Sequence, residues 1–192
     1  PMARPARLVR LDLRNGAVTV LARGEFQDLE LSGDGRWAAV IANGGDLQPR
    51  ADDTVYTAFP ARRRHLHLVD LASGRVAEPC PACDVGFGLL NWARSKPHLV
   101  VSTREADGGR GAETLAVIEA DTGAVRQPLP PSLRLDLALT RNEQARRARA
   151  AWMGEDLLAF AADRSGRADW YRLSDAGPVA LTRRFRAPPR QL

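Results

Sequence analysis

The chain has 192 residues, enough for one ordinary domain with a sizeable core, and 44% of them are hydrophobic with no apolar run of 18, which excludes a transmembrane helix. Its net charge of +5 rests on 27 arginines and one lysine, Lys96, spread over every segment among 23 acidic residues, and only 6% of the residues are aromatic. Dispersed arginine with few stacking rings argues against a nucleic-acid groove.

The N-terminus, PMARPARLVRLDL, has no apolar core followed by small residues, so no signal peptide is visible, and bacterial cytoplasm or periplasm are both open. The first clear element is a hairpin. Leu8–Leu13 alternates apolar and polar residues, Arg14-Asn15-Gly16 supplies a turn, and Ala17–Leu21 reads as the return strand. Phe26–Leu31 follows as a separate leading strand. Ser32-Gly33-Asp34-Gly35 is turn chemistry, because aspartate accepts from its own backbone and glycine tolerates positive φ. Trp37–Ala42 is almost wholly apolar and reads as a strand buried on both faces.

Asn43–Arg64 reads as a long loop with Val55–Phe59 as its only apolar part. Its basic end, Arg62-Arg63-Arg64, reads as a solvated entry to the next strand. Leu66–Val76, LHLVDLASGRV, is then an alternating strand, a turn closed by Gly74 and the start of an outer strand. The same figure occurs at Leu8–Val18 and Leu115–Val125, and more loosely at Trp170–Val179. The turn glycines Gly16, Gly74, Gly123 and Gly177 lie 58, 49 and 54 residues apart, a period that signals a repeat architecture.

Between these hairpins the order of elements recurs. Phe87–Trp92 leads, Ala93–Pro97 turns, His98–Thr103 is apolar and Arg104–Gly111 is a glycine-rich loop. Leu135–Leu139 leads the next cycle and Asp156–Ala162 is its apolar strand. Thr140–Ala151 breaks the pattern. Its composition and the capping pair Thr140 with Glu143 predict a solvated helical insertion near 141–150, placed where a blade turns from its first to its second strand.

Cys80 and Cys83 form CPAC. The pair reads as loop cysteines without a role, as a local disulfide, or as half of a metal set that His65 and His67 would complete; Asp84-Val-Gly-Phe-Gly does not open the helix a thioredoxin motif needs. His98 follows Pro97 at a strand entry, and Asp52-Asp53 reads as a solvated loop pair. Ser32, Ser73 and Ser165 sit in turns (LSGDG, ASGRV, RSGRA), none in G-x-S-x-G, and there is no phosphate loop or zinc-protease motif. The residues therefore nominate no catalytic, cofactor-binding or metal-binding site, and no cofactor.

Four antiparallel strands per roughly 50 residues are the dimensions of a β-propeller blade, and the ordered recurrence of strand types favours a propeller over a single sandwich or barrel. The expected fold is all-β: a partial propeller of about three and a half blades in one domain, 1–192. Its blades are 8–22 (outer hairpin only), 26–80, 86–130 and 134–184, with a tail at 185–192. Such a count reads as part of a larger ring.

LSGDGRWAAVIAN (Leu31–Asn43) followed by HLHLVDLASGRV (His65–Val76) resembles the blade repeat of bacterial propellers, where "SPDGRWIAF" precedes a strand of the "LYLVDLATGE" kind; Gly33 stands where that pattern has proline. The repeat is shared by the propeller of prolyl-oligopeptidase-family serine peptidases and by the Tol translocation-protein propeller. Arg167–Thr182 (RADWYRLSDAGPVALT) resembles the peptidase version. The loop Gly45–Tyr56 resembles an insertion in N-terminal blades of these peptidases, one subgroup of which opens lasso peptides. The resemblance implies a propeller that gates access of peptides to a Ser-His-Asp triad outside this chain, with a peptide substrate or the hydrolase domain of the same parent as partner and neither nucleic acid nor membrane. The alternative is a non-enzymatic propeller binding a protein or peptide; a carbohydrate-active propeller would need acids on inner strands that are apolar here.

Overall fold

In the computed structural model, residues 6–45, 64–104, 113–135 and 150–184 are described. They form strands and turns only, in three antiparallel sheets. The first sheet runs β1 (Ala6–Leu11), β2 (Val18–Leu31), β3 (Trp37–Gly45), β4 (His65–Asp70), β5 (Val76–Ala77). The second is β6 (Asp84–Trp92), β7 (His98–Arg104), β8 (Glu113–Glu119), β9 (Val125–Arg126). The third holds β10 (Leu133–Leu135), β11 (Ala150–Met153), β12 (Asp156–Asp163), β13 (Ala168–Ser174) and β14 (Gly177–Ala180).

The recurring hairpin owes its shape to one turn made three times. Gly16 N donates to Asp12 O, Gly74 N to Asp70 O and Gly123 N to Glu119 O, each at 2.8 Å. All three glycines have φ between 73° and 75°, a left-handed conformation that costs an L side chain and costs glycine little. Asp70 fixes its copy further, its Oδ1 accepting from the backbone of Ala72 at 2.8 Å and Ser73 at 3.0 Å. The turn before β3 is built from side chains. Ser32 Oγ donates to Asp34 Oδ1 at 2.6 Å and accepts from Trp37 N at 2.9 Å, which leaves Ser32 buried.

Alternation then sorts each strand's residues onto two faces, and on the inner strands β3, β4, β7, β8 and β12 both are covered. On β7, Leu99 and Val101 face the first sheet, meeting Leu66, Leu68 and Ile41. Val100 between them faces the third sheet and packs with Leu157, Ala159 and Leu173. On the far side of the first sheet, Leu8 and Leu21 of the β1–β2 hairpin lie over Ala38, Val40 and Val69. The apolar strands β3, β7 and β12 are deeply placed. Trp37–Ala42 is nowhere more than 3% exposed.

The leading strands sit side by side. Trp92 Nε1 of β6 donates to Glu30 O of β2 at 3.3 Å, and Trp152 N of β11 to Asn91 Oδ1 of β6 at 3.1 Å. The equivalent leading strands of the three sheets therefore adjoin in order, β2 beside β6 and β6 beside β11.

Two expectations are corrected. Ala17–Leu21 and Phe26–Leu31 are parts of one strand, β2, because β1 takes one of its edges (Leu11↔Val18 to Ala6↔Gly24) and β3 the other (Gly24↔Gly45 to Leu31↔Ala38). Irregular pairing on both sides of Phe26 gives the bend that lets one strand serve two units. The insertion of the third unit also lies elsewhere than at the turn between first and second strands. Leu135 pairs with Ala161 and Ala150 with Ala159, so both flanks continue one leading strand along the same edge of β12. The insertion interrupts that strand; the turn comes later, at Gly154. Residues 141–149 of the expected helix lie outside the described residues, and Ala150 is strand.

Candidate functional site: a polar seam at one end of the sheets

Antiparallel order sends the outer hairpins closed by Gly74, Gly123 and Gly177 to one end of their sheets and brings the starts of β4 and β6 and the end of β7 to the other. That second end carries most of the buried polar groups: Arg64, His65, His67, Asp84, Ser102 and Thr103. Arg64 N donates to Asp84 Oδ1 at 3.0 Å, and Val85 N to Arg64 O at 3.1 Å. The two bonds join the first sheet to the second where each strand begins. Asp84 is only 4% exposed, and its accepting oxygen is what makes that burial tolerable.

His65 and His67 share a face of β4, as i and i+2 must, but they are buried and do not point outward, their rings 6.4 Å apart. His65 Nδ1 lies 2.8 Å from Glu78 Oε1. Cys80 and Cys83 are joined to each other in a disulfide that closes the β5–β6 connection, with Cys83 N donating to Cys80 O at 3.0 Å. Cys83 packs against the apolar cluster between the first two sheets. The four-residue metal set does not form, and among the described residues no group of three or more His, Cys, Asp or Glu could hold a metal.

Ser32, Ser73 and Ser165 all serve their own turns: Ser73 Oγ accepts from Arg75 N at 3.2 Å, and Ser165 Oγ donates to Asp163 Oδ1 at 2.6 Å. Those hydrogen bonds hold the carboxyls of Asp34 and Asp163 below the usual carboxylate range, and backbone N–H groups do the same for Asp70. His98 opens β7, 6.1 Å ring to ring from Trp152. Arg64 is buried rather than solvated; Arg62, Arg63, Asp52, Asp53 and the 45–56 loop beyond Gly45 lie outside the described residues.

Sequence reasoning missed Glu78 and Asp84, which looked like ordinary loop acids; their signal was position, each flanking a strand end. It also missed Asp169. That carboxylate is 2% exposed and accepts from Thr182 N at 2.9 Å and from the Thr182 hydroxyl, which in turn accepts from Trp170 N at 3.3 Å. With Leu181 N donating to Trp170 O at 2.7 Å, the leucine and threonine that end Arg167–Thr182 clasp the last hairpin. Chemically the seam positions strand starts. It offers a histidine, His65, oriented by the carboxylate of Glu78.

No family model matches the chain, and no curated protein matches it. Solved structures do. The β-propeller domain of the Trilobed protease from Pyrococcus furiosus is similar at TM-score 0.54 and 12% identity, over 92% of this chain and 49% of that one. The Pyrococcus horikoshii acylaminoacyl peptidase gives 0.54 at 14% identity, over 92% of this chain and 28% of its own. An uncharacterized protein from Listeria monocytogenes EGD-e gives 0.52 at 10% identity, over 94% and 48%. The fold is that of a β-propeller. The chain spans less than half the length of these structures, and at such identities the likeness concerns the fold alone.

Proposed function

We propose that this chain is propeller from a serine hydrolase acting on peptides, and that it governs which substrates reach a Ser-His-Asp triad lying outside these 192 residues. The observation that carries the reading is the likeness of fold to the propeller of one protease and to an acylaminoacyl peptidase. The packing of the sheets supports that role. In that role, blades packed face to face would bound an opening too stiff to admit a folded domain, so short or unfolded peptides would pass and bulk water would be restricted. The seam around Arg64, Asp84 and the disulfide contributes stiffness where strands of two blades begin. The triad would supply acyl transfer, with serine as nucleophile and histidine as its base.

The test is to read the gene past Leu192, express the whole product and treat it with a fluorophosphonate probe. Labelling of a serine in G-x-S-x-G, with cleavage of short peptides and sparing of the same sequences inside folded proteins, is the expected result. A product that takes no label and cleaves nothing, yet holds a peptide or protein on its propeller, would overturn the hydrolase reading in favour of a binding module.

A further inference from the structure

The chain between β5 and β6 is pinned on both sides of its disulfide. Before it, His65 Nδ1 lies 2.8 Å from Glu78 Oε1. After it, Asp84 Oδ1 accepts from Arg64 N at 3.0 Å, and Val85 N donates to Arg64 O at 3.1 Å. Both pins fall on consecutive residues where β4 begins, so residues 79–83 bridge two fixed points. Within that bridge Cys83 N donates to Cys80 O at 3.0 Å, and the two Cα atoms stand 5.4 Å apart. None of these hydrogen bonds uses sulfur, so a chain with the disulfide open keeps its two thiols on one turn. The cysteines differ in their surroundings. Cys83 packs against the apolar cluster of Leu66, Val85 and Leu99, to which Cys80 does not belong. Pro81 and Ala82 between them are exposed.

We propose that Cys80–Cys83 is a thiol-exchange site, opened by a small-molecule thiol that attacks Cys80 Sγ and restored by the corresponding small-molecule disulfide. The attacking thiolate bonds to Cys80 Sγ as the sulfur–sulfur bond breaks. Cys83 Sγ leaves with the electron pair and takes up the proton the thiol gave up. A second thiol then bonds to the first and releases Cys80 as a thiol. Two small thiols are thereby oxidised to one disulfide, and the disulfide of the protein is reduced to two thiols. Attack falls on Cys80 because Cys83 is packed against the apolar cluster. Cys83, held beside Cys80, is then the sulfur that resolves the mixed disulfide. The energetics set this pair apart from a structural cross-link. Folding protects a disulfide by the same amount that the disulfide stabilises the fold. Closing four residues shifts the equilibrium by about 30-fold, and Pro79 and Pro81 already restrict the unfolded chain, which lowers even that figure. Protection so small leaves the bond within reach of thiol buffers, whereas structural disulfides resist them. Opening frees residues 79–83 and leaves Arg64 and Asp84 joined. The sulfur state thus sets the mobility of the link between the first two sheets without unfolding either. The inference rests on the pinned connection and is independent of the hydrolase reading.

The whole gene product is equilibrated in glutathione buffers of graded reduced-to-oxidised ratio, quenched with acid and alkylated. The tryptic peptide 76–94, which carries both cysteines, is then quantified by mass spectrometry. Half-opening at ratios like those of living compartments is expected, with the cooperative melt retained. In oxidised glutathione, Cys83→Ser should gain an adduct on Cys80 at least ~10-fold faster than Cys80→Ser gains one on Cys83. Hydrogen exchange should quicken across residues 79–83 on reduction and stay unchanged at the start of β6. A pair that stays closed until the protein unfolds would be an inert cross-link, and the proposal would fall. Equal adduct rates at the two cysteines, or exchange that quickens through β6 on reduction, would sink it too. None of these outcomes touches fluorophosphonate labelling, so the two readings fail separately.

Discussion

Leu11, Val69 and Ile118 hold the same place in three copies of one hairpin, so truncating each to alanine measures what surrounds that place. Ile118 is fully buried between the first two sheets. Losing three carbons there forfeits ~2.4 kcal/mol at roughly 0.8 per methylene, and the cavity left among Leu66, Leu99 and Val101 raises the cost to ~3–4 kcal/mol. Val69→Ala removes two carbons from the cluster under the N-terminal hairpin and should cost ~2 kcal/mol. Leu11 is half-exposed, so about half the transfer term applies and no cavity forms; ~1 kcal/mol is expected. Urea unfolding followed by tryptophan emission reads all three, since Trp37 and Trp92 adjoin the cluster of Ile118. If Leu11→Ala proved as costly as Ile118→Ala, the face of β1 would already be covered, and the equivalence of the three hairpins would not translate into the differences in burial described above.

Three further outcomes follow from particular contacts. A Cβ at Gly33 would meet the carbonyl oxygen of Arg94 at 3.0 Å, so Gly33→Pro, which restores the residue of the related repeats, should lower stability by ~1–3 kcal/mol in the same urea assay. Reducing Cys80–Cys83 opens a loop of four residues, which the chain-entropy relation values at ~2 kcal/mol, and a thermal melt with and without dithiothreitol measures it. Asp34, Asp70 and Asp163 have folded pKa values below the ordinary 3.8, so their contribution is present above that value and is lost as pH falls through the lower folded values. Melting temperature should therefore drop between pH 4 and pH 2, less steeply in Asp34→Ala, and an unchanged slope in that variant would count against the Ser32–Asp34 bond as its source.

The hairpins were legible because their causes are local. Alternation sets two faces, and a glycine four residues after Asp12, Asp70 or Glu119 closes the same hydrogen bond each time. The apolar strands such as β3 were legible for a similar reason, as only burial on both sides explains WAAVIA. Other features depend on partners distant in sequence. Arg23 and Gly24 look like a break between strands, and β2 runs through them because β1 and β3 use its opposite edges. His65 and His67 look outward by polarity, yet both are buried, with Glu78 beside His65. Asp84 and Asp169 are indistinguishable in sequence from solvated acids; the backbone groups that hold them belong to Arg64 and Thr182.

The interrupted leading strand of the third sheet also separates loop length from stability. Leu135 and Ala150 face Ala161 and Ala159, two residues apart on β12, so the chain departs and returns within roughly 7 Å. Whatever is inserted between those points leaves the ladder on either side in register. Evolution can lengthen, shorten or recharge residues 136–149 without re-solving the fold, and a protein engineer can do the same, grafting a foreign recognition loop onto the leading strand of the third sheet.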